Sequence, residues 1–209
     1  MAPPKNLFWD SCVFIRYLTR QPTDFLADID QYVAEAKGTD RKYIIHCSTL
    51  VFVEIRPRFL KKTGFGTAAE FMSDLGSAFA PFDPNPNILS YAGALRDHEP
   101  VNLGNPKSDK PATRSIGTPD AIHLATCLYL RDVAGVSDIV FHTFDEGKGK
   151  TWEGKCVPII GFEKWFPPDR RVQEVADVCS LTRIKPEHPS PDLATKASTS
   201  ATVITQPSP

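Results

Sequence analysis

Four acidic residues stand where a carboxylate could take part in metal-dependent chemistry. They are Asp10, Glu54, Asp120 and Asp145. Two follow short apolar runs typical of strands, and two lie in segments of helical pattern, so in a parallel sheet all four would project to the edge where the strands end. Converging carboxylates repel one another unless a cation joins them, and oxygen ligands without clustered His or Cys favour Mg²⁺ or Mn²⁺. Such ions can activate water for hydrolysis of a phosphodiester.

Each of these acids also has an ordinary structural explanation. Asp10 suits the N-cap of the helix that follows it, and Asp120 in a first helical turn is favoured by the helix dipole by about 0.3–1 kcal/mol. Asp145 stands close to a glycine and suits a turn. Glu54 is harder to explain in this way, because its neighbours in 50–53 are apolar and a carboxylate there needs a cation or a basic partner.

Short apolar runs alternate with helical patterns between residues 6 and 166, which predicts an α/β domain. The predicted strands are 7–9, 43–47, 139–141 and 157–160, with a further short strand within 80–87. The predicted helices are 11–22, 25–36, 49–56 after Ser48 as N-cap, 67–79 and 88–97, and one that opens with Thr118 as N-cap and Pro119 at its first position.

Three parts of the chain are distinguished by composition. Residues 5–168 are expected to form the domain, and 100–117 is a polar loop of a length that is usually functional. Residues 169–184 form a C-terminal extension, in which apolar residues recur every three positions and predict a helix. Residues 185–209 contain five prolines and no aromatic residue, so we expect a disordered tail.

The composition is that of a globular protein of 209 residues, with 41% hydrophobic residues. No apolar run approaches a membrane span, and the first residues lack a signal peptide's apolar segment, so we expect a cytoplasmic protein that binds no membrane. The five dispersed cysteines predict free thiols. The net charge of −1 is unlike that of proteins that cover long stretches of nucleic acid, although an enzyme that uses metal ions and a local basic rim needs no basic excess.

Four sequence blocks, in their order and spacing, resemble the PIN-domain nucleases, particularly the group that includes VapC-like toxins. The first is an Asp closing a strand before an apolar helix (10–15), and the second a Glu on a helix that follows a Ser (48–54). The third and most specific is an Asp opening an Ala-rich helix (119–126), and the fourth is Thr-x-Asp after a strand (143–145). The resemblance covers roughly residues 7–165.

The resemblance implies a three-layer α/β/α fold around a mainly parallel central sheet. It also implies a Mg²⁺ or Mn²⁺ site formed by the acids Asp10, Glu54, Asp120 and Asp145, and hydrolysis of RNA by an activated water. Ser11 and Thr143 would orient these carboxylates, and Glu146 is a further candidate ligand or an exposed turn residue. The implied role includes that of a toxin in a toxin–antitoxin pair, with RNA as substrate and with an antitoxin protein or a second copy of the chain as partner.

Several further residues are weighed beside the acids. Candidates for contacts with the substrate backbone are Arg16, Lys107, Lys110, Arg114 and Lys148, and ordinary solvated charges are the alternative for each. His123 lies one turn after Asp120, where we expect a buried, hydrogen-bonded histidine rather than a ligand.

Two other functions remain as alternatives. One is a non-catalytic PIN-like module that binds nucleic acid or protein, against which the presence of all four acids argues. The other is a phosphatase of the haloacid-dehalogenase type, which requires Asp-x-Asp and here meets Cys12 at the second place.

Overall fold

A single parallel sheet organises the protein, whose computed structural model describes residues 3–61, 63–101, 114–147 and 156–189. The strands in this part of the chain are β1 (Lys5–Trp9), β2 (Tyr43–Ser48), β3 (Phe79–Phe82), β4 (Val140–His142) and β5 (Thr182–Ile184). Their order is β3-β2-β1-β4-β5, and every neighbouring pair is parallel. The predicted α/β class with a parallel sheet is therefore confirmed.

Helices cover both faces of this sheet. Those described are α1 (Ser11–Thr19), α2 (Leu26–Lys37), α3 (Val51–Glu54), α4 (Pro57–Leu60), α5 (Ala68–Leu75), α6 (Pro86–Asp97), α7 (Thr118–Asp132) and α8 (Gln173–Ser180). Buried residues of α1 to α5 form one hydrophobic cluster, and those of α6 to α8 form another. The architecture is thus three-layered, α/β/α.

The alternation of side chains along β1 divides the two clusters. Leu7 and Trp9 point into the cluster of α1 to α5, and Phe8 points into that of α6 to α8. Phe8 stacks on Phe141 of β4 with ring centroids 5.1 Å apart. The apolar character of the whole strand follows from burial on both faces, as expected for a parallel sheet.

One strand predicted from the sequence was wrong, and one strand was not predicted. Residues 157–160 were predicted as the last strand, and they form none. Their backbone amides bind elsewhere: Val157 N donates to Ser115 O at 3.0 Å, and Ile159 N donates to the Asp145 carboxylate at 3.0 Å. The outermost strand is instead β5, which follows the predicted terminal helix, α8.

Some predicted helix boundaries were also wrong. The helix predicted over 49–56 is the single turn α3, and Ser48 is the last residue of β2, with its hydroxyl accepting from Leu50 N at 3.2 Å. Thr118 is the first residue of α7 rather than its N-cap, which is Gly117. The helix predicted over 67–79 ends at residue 75 and continues as a 3₁₀ turn into β3.

Residues 185–189, at the start of the segment expected to be disordered, pack on α2. The amide of His188 donates to Asp28 Oδ1 at 3.0 Å, and Tyr32 Oη donates to Glu187 O at 2.9 Å. The His188 ring is buried against Tyr32 and Tyr43. Residues 190–209 lie outside the described part of the chain. No helix in that described part is long and apolar enough to cross a membrane.

Candidate acidic functional site

The carboxyl ends of β1 and β4 meet at the point where the strand order changes direction. The chain leaves β1 towards β2 and β3 on one side, and later returns to β4 on the other side of β1. Crevices at such switch points are the usual ligand sites of open parallel sheets. Asp10 directly follows β1, and Thr143 directly follows β4, so the sheet topology itself places both at this crevice.

Asp10 occupies the N-cap position of α1, but its side chain does not cap the helix. Its Oδ2 instead accepts hydrogen bonds from Thr143 Oγ1 at 2.7 Å and from Cys12 Sγ at 3.1 Å. The residue is buried, with 6% of its surface exposed. The capping explanation weighed from the sequence therefore does not account for this carboxylate, which is turned towards the end of β4.

Cys12 is a part of this crevice that the sequence did not mark as functional. Its thiol donates to Asp10 and accepts from Phe144 N at 3.1 Å. Burial, together with the negative charge of Asp10, raises the pKa of the Cys12 thiol well above its usual value. The thiol therefore stays protonated and serves as a donor to Asp10.

Glu54 is the last residue of α3 and reaches the same crevice. Its Oε2 accepts hydrogen bonds from Ser11 Oγ and from His123 Nε2, the latter at 2.7 Å. Burial would raise the pKa of Glu54, but the hydrogen bond and the charge of His123 and the hydrogen bond from Ser11 outweigh it and lower the pKa. The basic partner that Glu54 required is thus a histidine 69 residues further along the chain.

His123 is fully buried and hydrogen-bonded, as expected, and it also faces the acids. Its Nε2 lies 3.1 Å from Ser11 Oγ and 3.8 Å from Asp10 Oδ1. Burial lowers the pKa of His123, but the hydrogen bond to Glu54 and the charges of Asp10, Glu54 and Asp120 outweigh burial and raise it. The acids around the imidazole therefore favour its protonated form over its neutral form.

Asp120 lies in the first turn of α7. Burial, followed by the negative charges of Asp10, Asp145 and Glu54, raises the pKa of Asp120 to about 7. Among residues 114–147 and the other described ranges, none donates a hydrogen bond to this carboxylate. The charges of the other three predicted acids thus all act on Asp120, whose ionised form they disfavour.

Gly117 makes room for the Asp120 carboxylate. A Cβ at Gly117 would clash with Asp120 Oδ2, although the φ of −58° would itself accept a side chain. The glycine is therefore required by close approach rather than by backbone conformation. The same hypothetical Cβ would lie 3.7 Å from Cys156 Sγ, a second thiol beside the cluster.

Asp145 forms the turn that its sequence context predicted. Its Oδ1 accepts from Gly147 N at 3.1 Å, and its Oδ2 accepts from Ile159 N at 3.0 Å. These bonds hold the carboxylate where its charge acts on Asp120. The neighbouring Glu146 pairs with Lys185 at 2.8 Å.

Two of the basic residues proposed for substrate contacts are described, and both pack on aromatic rings. The Arg16 guanidinium lies 3.5 Å from the ring centre of Phe144 and pairs with Asp24 at 2.8 Å. Arg114 lies 4.4 Å from the ring centre of Trp165 and donates to Cys156 O at 3.1 Å. Lys107, Lys110 and Lys148 lie outside the described residues.

The oxygen ligands of the cluster suit a hard metal ion by their chemistry, although the described side chains are not gathered around one point. In residues 3–61, 63–101, 114–147 and 156–189, no three His, Cys, Asp or Glu side chains already form a group that could hold one. The charges of Asp10, Asp145 and Glu54 nevertheless repel the charge of Asp120, and a cation is the partner that would relieve this repulsion. Carboxylate oxygens are the ligands that Mg²⁺ and Mn²⁺ prefer, so the chemistry of the cluster fits a hard divalent ion.

Comparisons of this chain with protein-family models, with curated proteins and with solved structures found no match.

Proposed function

We propose that the protein is a metal-dependent phosphodiesterase that hydrolyses RNA at the acidic cluster of Asp10, Glu54, Asp120 and Asp145. The observation that carries the proposal is the convergence of the acids at one crevice, where His123 Nε2 lies 2.7 Å from Glu54 Oε2 and 3.8 Å from Asp10 Oδ1. Burial and the charges of the other three acids raise the pKa of Asp120 there. A folded protein keeps such mutual repulsion only where something offsets the cost, and functional sites are where shifts of this kind cluster. The location at the switch point of a parallel sheet adds support.

The acids divide into two groups by what already occupies their oxygens. Glu54 Oε2 is held by Ser11 and His123, and both oxygens of Asp145 accept backbone amides. The two donors to Asp10 bind Oδ2, so that Oδ1 faces only His123 Nε2 at 3.8 Å among the described residues, and Asp120 has no hydrogen-bond donor among them. Asp10 Oδ1, Glu54 Oε1 and the Asp120 carboxylate would therefore hold the ion directly, with Asp145 supplying charge beside them.

The metal would supply a Lewis acid that polarises the phosphate and activates water. The chain's own residues would orient the carboxylates and neutralise the charge of the phosphate backbone. Thr143 and Cys12 bind Oδ2 and so fix the rotamer of Asp10, which leaves Oδ1 facing His123 Nε2 at 3.8 Å. Arg114, whose carbonyl partner Cys156 lies beside Asp120 and Asp145, would contact the phosphate backbone of the substrate.

The test is cleavage of fluorescent single-stranded RNA with Mg²⁺ or Mn²⁺, with single-stranded DNA and duplex RNA as comparison substrates. The wild type and the exposed-site control Asp40→Asn should cleave RNA, whereas Asp10→Asn, Asp120→Asn and added EDTA should abolish cleavage. Full cleavage by either site variant or in EDTA would refute the proposal. Binding of Mn²⁺ and RNA without cleavage would favour the non-catalytic module.

The proposal extends, through the resemblance to VapC-like proteins, to a toxin restrained by an antitoxin protein. Induced expression of the wild type in a bacterial host should then arrest growth, and Asp120→Asn should not. If the two cultures grow equally although only the variant has lost RNA cleavage, the proposed ribonuclease activity stands and the proposed role as a toxin is refuted.

A further inference from the structure

One histidine ties together three separate elements at the acidic cluster. His123 Nε2 lies 2.7 Å from Glu54 Oε2, 3.1 Å from Ser11 Oγ and 3.8 Å from Asp10 Oδ1. Ser11 begins α1, Glu54 ends α3, and His123 lies one turn into α7 after Asp120. A single ring nitrogen of α7 therefore faces groups from two other parts of the chain, residues 10–11 and Glu54.

Glu54 needs such support because its own backbone element is weak. The helix α3 has four residues, fewer than a helix needs to be stable on its own. The Glu54 side chain is 27% exposed, so packing alone does not fix its rotamer. The hydrogen bonds from Ser11 and His123 are what hold its carboxylate towards the cluster.

His123 is well suited to hold another group, because it is itself fixed. Its side chain is fully buried, and its ring meets the edge of Phe8 with centroids 6.2 Å apart. α7 packs closely on α6 and against β2. Side chains that touch a ligating carboxylate in this way typically matter to metal affinity nearly as much as the ligands themselves.

We infer that His123 is a positioning residue, which fixes the Glu54 carboxylate beside Asp10 and Asp120 through its Nε2–H. This inference rests on the proposed function, since it concerns how the same cluster is arranged for a divalent ion. Only Nε2 takes part: within the described residues, His123 Nδ1 is buried without a hydrogen-bond partner.

This one-sided contact distinguishes positioning from space filling. A glutamine amide carries its N–H near the place of Nε2, whereas an asparagine amide carries it near the place of Nδ1. His123→Gln should therefore keep the hydrogen bond to Glu54, and His123→Asn should lose it. If His123 merely filled space, the two amides would behave alike.

The experiment is calorimetric titration of Mn²⁺ into the full-length chain, with thermal unfolding in EDTA to verify that each variant is folded. We expect His123→Asn to weaken Mn²⁺ binding about 10- to 100-fold and His123→Gln to remain near the wild type. His98→Asn, which removes a histidine that faces Glu174 instead, should leave the affinity unchanged.

Ser11→Ala provides a second arm that changes little volume. It removes the other donor to Glu54 and should also weaken Mn²⁺ binding, which keeps the inference testable if His123→Asn does not fold. Wild-type affinity in both Ser11→Ala and a folded His123→Asn, or equal losses in the Gln and Asn variants, would overturn the positioning role alone. Absence of Mn²⁺ binding by the wild type would overturn the proposed function, and this inference with it.

Discussion

Neutralising Asp120 should stabilise the metal-free protein at neutral to alkaline pH while removing the proposed ribonuclease activity. The reason lies in the cluster around the first turn of α7. Burial and the charges of Asp10, Asp145 and Glu54 raise the pKa of Asp120 to about 7. The ionised form is thus worse accommodated in the folded than in the unfolded chain, and an isosteric amide in Asp120→Asn would remove that charge.

The size of the effect follows from linkage. The pKa rises from its ordinary 3.8 to about 7, so between these pH values the folded state binds more protons than the unfolded state and stability falls as pH rises. The loss of stability that ionised Asp120 causes is absent below the ordinary pKa of the group and complete above pH 7. It amounts to on the order of 4 kcal/mol at about pH 8 and about 2 kcal/mol at about pH 5.

Urea unfolding in EDTA, followed by circular dichroism, would measure this penalty. We expect Asp120→Asn to raise the free energy of unfolding by up to about 4 kcal/mol at pH 8, and by clearly less at pH 5. Asp40→Asn, in an exposed position before β2, is the matched control and should change little at either pH. A variant that is no more stable than the wild type at pH 8 would refute the argument from a desolvated acidic cluster.

Added Mn²⁺ should narrow the difference in stability between Asp120→Asn and the wild type at pH 8. An ion that binds only the folded state at about 100 times its Kd stabilises by about 2.7 kcal/mol. The wild type should gain this amount. Asp120→Asn should gain much less, because it lacks the Asp120 carboxylate that is proposed to hold the ion. Equal gains in the two proteins would show that Asp120 is not a ligand.

Three further changes test neighbouring contacts. Gly117→Ala should displace the Asp120 carboxylate and weaken Mn²⁺ binding about 10- to 100-fold by calorimetry, whereas unchanged affinity would contradict the close approach. Thr143→Val should remove the buried hydrogen bond to Asp10 and lower the free energy of unfolding by about 1–3 kcal/mol in urea; no loss would show that the bond contributes nothing. Burial lowers the pKa of His142 to about 3, so the unfolded state alone takes up its proton as pH falls below 6.5, and stability falls with it. His142→Phe should remove about 3 kcal/mol of the loss between about pH 8 and pH 4, and identical pH profiles for variant and wild type would exclude this cause.

The parallel sheet was predictable from the sequence because its central strands are short and apolar throughout. Residues 7–9, 43–47 and 139–141 lie in β1, β2 and at β4, and their burial on both faces leaves a signal that depends only on local composition. β5 was missed for the opposite reason. Thr182 and Ile184 are exposed at the edge of the sheet, so nothing in their composition distinguishes that strand from a loop.

The acids were predictable as a set, but their partners were not. Asp10, Asp120 and Asp145 stand next to strand ends or a helix start, and the topology alone brings such positions together. The hydrogen bonds that orient them join residues far apart in the chain, such as Ser11 and His123 across 112 positions. A contact of this kind depends on side-chain rotamers at the meeting of three elements, which no local pattern records.

Structural and functional explanations of these acids are not exclusive. Asp145 makes the turn its sequence predicted, and that turn fixes the charge that acts on Asp120. Asp10 occupies an N-cap position with a non-helical backbone, ψ 156°, yet gives its oxygen to Thr143 instead of to α1. The N-cap position supplies the backbone geometry of Asp10. Its side chain does not make the capping hydrogen bond, which typically contributes about 1 kcal/mol, and the carboxylate is turned towards the cluster instead. A capping hydrogen bond that the local sequence favours but that the folded protein does not form is therefore stronger evidence of function than the presence of the acid itself.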